Sequence, residues 1–112
     1  MLPLRTGVTL SELQRYVAEM EAERGFTQST VSEQARLGEE VAELFKAIRK
    51  QADLPVDHRS ITGTVAEELV DIAIYVRAIA NRQGVDLEEA FGEKESLNEE
   101  RTWWPAGERP ES

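Results

Sequence analysis

Two long stretches, residues 30–51 and 64–83, carry apolar side chains around most of a helical circumference, and this constrains the fold more than any other feature. At roughly 100° per residue, Leu37, Val41, Leu44 and Ile48 form one stripe of the first stretch, and Val31, Ala35 and Ala42 cover much of its far side. In the second, Val65, Leu69, Ile72, Val76 and Ile79 form the stripe, with Val70 and Ile74 behind it. A helix apolar on more than one side is buried on more than one side. Four short helices do not easily bury both faces alone. The expectation is an all-α four-helix bundle assembled as a homo-oligomer, dimer or tetramer. Gly38, unfavourable in a helix interior, would suit a close helix–helix approach on the second face.

Each helical pattern has its own start signal. Thr9 with Glu12, Thr30 with Glu33, Thr64 with Glu67 and Asp86 with Glu89 all place a capping side chain three residues before an acidic one. Gly25 and Gly84 mark the ends of the first and third helices. No stretch of useful length alternates with period two, and the four prolines lie outside the helical patterns. The short links at 25–29 and at Gly84-Val85 favour antiparallel neighbours, whereas residues 52–63 read as a polar surface loop. Residues 1–112 form a single domain on this reading, with a helical core from about 9 to 101 and a non-helical tail at 102–112.

With 22 acidic against 13 basic residues the net charge is -9, a field that disfavours nucleic acid as a partner. The chain has no cysteine, which excludes disulfides and suits a reducing cytoplasm. Its longest apolar run, Ile72 to Val76, is far too short to span a bilayer, and its first residues lack the apolar run of a signal peptide. A soluble cytoplasmic protein with no membrane partner is expected.

The acids have a pattern of their own. Glu40 and Glu43, and likewise Glu68 and Asp71, stand three residues apart, so each pair shares a helix surface. In both helices the pair occupies the same edge of the core-facing stripe. Four carboxylates converging there would call for a hard cation, Mg²⁺ or Mn²⁺, which shares its coordination with waters and substrate phosphates. The plainer reading is a pair of solvated acidic faces, with Glu67 explained as a cap.

These residues resemble a known family. Glu39-Glu40-x-x-Glu43 followed by Glu68-x-x-Asp71 is similar to the EExxE…ExxD signature of MazG-type nucleotide pyrophosphohydrolases. Arg24-Gly25-Phe26 resembles the entry to their second helix, Leu69 to Tyr75 their third helix, and Lys94-x-x-x-Asn98-x-x-Arg101-x-Trp103 their closing stretch. Together these cover roughly residues 10–104. The resemblance implies that Glu40, Glu43, Glu68 and Asp71 ligate Mg²⁺, with Glu39 the candidate base for the attacking water. It implies hydrolysis of a nucleoside triphosphate between the α and β phosphates. The related phosphoribosyl-ATP pyrophosphohydrolases are the alternative activity, and a non-catalytic helical dimerisation module is the alternative class.

Lys94, Asn98 and Arg101 fall at i, i+4 and i+7, a row suited to phosphate oxygens if the last helix extends that far, or an ordinary solvent face paired with Glu93, Glu95 or Glu99. Tyr75, one turn beyond Asp71, is placed to meet a nucleoside. Phe26 stacks on the base or packs in the core. Trp103 and Trp104 are expected against a neighbouring subunit, and His58 at the surface.

Overall fold

The computed structural model describes residue 4 and residues 6–25, 30–57 and 62–101, excluding the side chains of residues 30–34. Four α-helices make it up: α1 (Leu10–Glu23), α2 (Thr30–Gln51), α3 (Val65–Gln83) and α4 (Leu87–Glu99). No strand occurs among the described residues. Phe26, His58, Trp103, Trp104, the tail at 102–112, and the side chains of Val31 and of the expected Thr30/Glu33 cap lie outside the described residues.

The starts of the helices follow from their caps. Thr9 and Thr64 each form a full capping box, with Glu12 and Glu67 returning the bond to the cap backbone. Asp86 caps α4 by accepting from Glu88 N and Glu89 N at 3.0 and 3.2 Å. These bonds satisfy amides that the helix itself leaves unpaired. Gly84 stops α3 in the left-handed region, at φ 66°, where a glycine has no Cβ to clash. α2 stops differently. Asp53 takes φ 57°, a conformation aspartate tolerates better than most residues, and Leu54 N closes the turn on Arg49 O at 2.8 Å.

α2 and α3 form the main antiparallel pair. Arg36 meets Tyr75 near one end, and Ala47 and Gln51 share a cavity with Thr64 and Val65 near the other. α1 packs on α3, and α4 packs on α1. The short links therefore join helices that are not principal packing partners, contrary to the expectation from their length. The reason is the apolar face of α1: Val17 and Met20 close on Ala78, with Tyr16 and Ile74 packed around them. Ile74 thus packs against α1 within the protomer.

A polar clasp fixes the turn between α3 and α4. Gln14 donates to Asn81 Oδ1 at 3.0 Å and to Val85 O at 2.7 Å, and accepts from Leu87 N at 3.0 Å. Asn81 Nδ2 donates back to Gln14 O at 3.2 Å. Farther along, Arg82 pairs with the buried Glu21 at 3.2 Å.

Among the described residues, nothing covers the apolar face of the α2–α3 hairpin opposite α1. Phe45 is 58% exposed and Leu69 51%, and Ile48 and Val76 point the same way. A Cβ at Gly38 would meet nothing within 4 Å, so no close approach inside the protomer uses that glycine. Among the described residues, no helix is long and apolar enough to cross a membrane.

Gln14→Ala removes three partners at once and leaves Leu87 N and Val85 O without them. It should cost about 1–3 kcal/mol in urea denaturation and speed exchange of the Leu87 amide.

Candidate active site

The site is built across the α2–α3 pairing. Glu40 projects from α2 toward Glu68 and Asp71 of α3, and one oxygen from each of the three lies within 4.8 Å of the others. At that spacing each pair of charges repels by about 1–3 kcal/mol for dielectrics from 80 down to 20. Packing of the half-buried Leu37, Val41, Leu44, Val65, Ile72 and Ile79 around them holds the hairpin together against that repulsion.

Burial differs among the three. Glu68 is only 4% exposed, Glu40 is half-buried and Asp71 is exposed. Glu68 Oε1 accepts from Gly63 N at 2.8 Å. Glu68 Oε2 and Glu40 Oε2 are buried, and with both carboxyls ionised neither meets a donor. A buried acceptor without a donor is costly, and two of them beside a third carboxylate form a donor set that fits a hard cation. The electrostatics agree. Burial first, then a carboxyl–carboxyl hydrogen bond with Glu68, then the charges of Glu43, Asp71 and Glu68 push the Glu40 carboxyl up to about 7. Asp71 is raised too, by burial and then by the charges of Glu68 and Glu67.

The other acids fall into different roles. Glu43 is half-buried on the same edge of α2, close enough for its charge to act on Glu40, but it is outside the converging trio. Glu39 is exposed and also outside it. Glu67 is the cap partner of Thr64, accepting from its hydroxyl at 3.1 Å.

Tyr75 stands on the site edge of α3, where its hydroxyl accepts from Arg36 Nη1 at 3.3 Å. Arg36 was not singled out in the sequence, although it lies one turn before Glu40 on the same face. At the other end of the hairpin, an open cavity of about 550 Å³ is lined by Lys50, Thr62, Gly63 and Thr64.

Within the protomer, the α4 row does not join this cluster. α4 ends at Glu99, so Arg101 lies beyond the helix, its amide turned back to Asn98 O at 3.1 Å. The helical row expected through Arg101 therefore contains only Lys94 and Asn98. Its helix packs on α1, not on the hairpin that carries the acids.

An all-α chain with a carboxylate cluster on a helix pair is the kind of scaffold that handles metal-bound phosphate esters. The comparisons make the class specific. Residues 28–101 match the MazG nucleotide pyrophosphohydrolase domain. Two crystal structures of iMazG from Vibrio DAT 722, Ctag-iMazG and Ntag-iMazG, are each 38% identical to the chain with a TM-score of 0.59. Each alignment covers 82% of this chain, and 99% and 95% of the respective iMazG chains. No curated protein matches. The chain belongs to the MazG nucleotide pyrophosphohydrolase family, and it is a hydrolase of nucleotide phosphoanhydride bonds.

The raised Glu40 carboxyl has a consequence for stability. Between its ordinary value of 4.5 and about 7, the folded state binds more protons than the unfolded state, so stability falls as pH rises through that window. In EDTA, the melting temperature should drop from pH 5 to pH 7.5, and Glu40→Gln should flatten the slope. Equal slopes for the two proteins would remove Glu40 as the source.

Proposed function

We propose that the chain is a Mg²⁺-dependent nucleoside triphosphate pyrophosphohydrolase, cleaving (d)NTP between the α and β phosphates to give (d)NMP and pyrophosphate. The observation that carries the metal is the pair of buried carboxylate oxygens, on Glu40 and Glu68, that face no donor beside Asp71. Glu40, Glu68 and Asp71 hold the ion on this reading. Glu43 completes the set from the same edge of α2 through a change of rotamer. Mn²⁺ meets the same oxygen ligands.

When bound, the ion neutralises the polyphosphate, polarises the α-phosphoryl group and lowers the pKa of water. The chain's own residues do the rest. Glu39, exposed beside Glu40, accepts the proton of the attacking water. Water adds to the α phosphorus, the bond to the α–β bridging oxygen breaks, and pyrophosphate leaves. Tyr75 meets the nucleoside from the edge of α3, and Phe26 stacks on the base. Lys94, Asn98 and Arg101 bind phosphate oxygens.

That last role requires a second copy. α4 lies against α1 in the protomer, while the uncovered apolar face around Phe45, Ile48, Leu69 and Val76 calls for a partner. We read the working unit as a homo-oligomer, dimer or tetramer, of one domain spanning residues 1–112. It acts in the cytoplasm, where nucleoside triphosphates are used, and serves to remove or balance them.

A pyrophosphate-release assay over canonical and modified nucleoside triphosphates tests the reading. Turnover should need Mg²⁺ and vanish in EDTA. Glu68→Gln should lower the rate at least about 100-fold, the upper end of what changes behind a ligand cost, with helical content intact. Near-normal turnover in that variant would refute its ligand role. Mixing inactive Glu68→Gln and inactive Lys94→Ala proteins should restore activity if sites are shared between copies.

A further inference from the structure

The segment that leads into α3 holds the most buried carboxylate of the site through a backbone amide. Gly63 N donates to Glu68 Oε1 at 2.8 Å. With one oxygen fixed there, the other, Oε2, is left buried and without a donor, beside Glu40 and Asp71. A side chain at position 63 would crowd this arrangement. Its Cβ would stand 3.0 Å from Glu68 Oε1, 3.3 Å from Glu67 Cβ and 3.3 Å from Glu67 Oε2. Each neighbour would have to give by a few tenths of an ångström. Glu67 is committed to the capping box of α3, and Glu68 is packed at 4% exposure. The glycine is not there for its backbone freedom, since Gly63 is absent from the residues with positive φ. What the position requires is space.

We propose that Gly63 is the positioning residue of the metal site: its N–H and its bare α-carbon together fix Glu68 so that Oε2 presents to the ion. The inference rests on the metal reading above, and it assigns a role to a loop whose composition shows no pattern. Residues that orient a ligand without touching the ion control affinity nearly as strongly as ligands do.

Mn²⁺ binding without substrate, followed by electron paramagnetic resonance, separates the possibilities in four proteins: wild type, Gly63→Ala, Glu68→Gln and the double variant. Gly63→Ala should weaken Mn²⁺ about 10- to 100-fold, with the circular dichroism of the helices unchanged. The double variant should bind no more weakly than Glu68→Gln, because orienting an amide in place of the ligand adds nothing. Wild-type affinity in Gly63→Ala, with Glu68→Gln impaired, overturns the role of Gly63 alone. Losses that multiply in the double variant overturn it too, since the glycine would then act through something other than Glu68. Wild-type affinity in Glu68→Gln overturns the metal reading itself and the positioning role with it. Should Gly63→Ala fail to fold, the amide resonance of Gly63 decides. The charge-assisted bond should shift it downfield in the wild type, and Glu68→Ala should return it upfield. An unmoved resonance overturns the proposal.

Discussion

The α2–α3 pairing has to survive placing a buried carboxylate against two others. Glu68 sits at the helix interface at 4% exposure, where water screens its repulsion from Glu40 and Asp71 less than it would between fully exposed charges. Three things offset this cost. The apolar stripe on the core side of both helices pulls the pair together, Gly63 N–H satisfies one oxygen of Glu68, and Glu40 takes up a proton near neutrality. All three lie on α2, α3 or the loop between them. α1 and α4 add the small Val17–Met20–Ala78 core and the Gln14 clasp, which join α1 to α3 and to the α3–α4 turn.

The hairpin consequently has two unlike sides. Along α2, Glu39 and Glu43 turn to one side of the helix interface and Val41, Phe45 and Ile48 to the other; along α3, Asp71 and Ile74 turn to the first side and Leu69 and Val76 to the second. α1 covers part of the acidic side through Ile74 and Ala78. On the apolar side nothing among the described residues takes that role. One helix pair thus supplies a polar site on one flank and an adhesive surface on the other. The far-side Ala35, Ala42 and Val70 are exposed and belong to neither flank.

Much of this was legible in the sequence because it is local. A capping box needs only residues three apart, and Thr9, Thr64, Asp86 and Gly84 all mark their helix ends as read. The common phase of Glu40 and Glu68 is likewise local, a matter of counting around two wheels. Packing order is not local. The short links pointed to neighbours that are not principal partners, because the choice depends on which apolar face α1 presents to α3. The retreat of Glu43 from the trio depends on rotamers, which periodicity does not encode. The end of α4 at Glu99 depends on fraying in an acidic last turn with no basic residue to favour its carbonyls. Gly63 and Arg36 escaped for different reasons. Arg36 had a findable signal in its phase relative to Glu40, whereas the need for a glycine at 63 appears only when the distance to a side chain five residues away is measured.

The distribution of positive charge around the acids argues for a polyphosphate in particular. In a chain of net charge -9, an anion with several phosphates would be repelled unless local cations outweighed the global field. The hairpin places such cations at both ends of its acidic centre. Arg36, held by Tyr75, lies one turn or about 6 Å along the axis from Glu40. Lys50 lines the cavity beside Gly63 at the opposite end. On the proposed reading, cations on either side of the acids would suit a phosphate chain that arrives with its metal. Non-specific attraction of polyanions is suppressed by the overall charge, while a ligand that arrives with its metal meets these local cations.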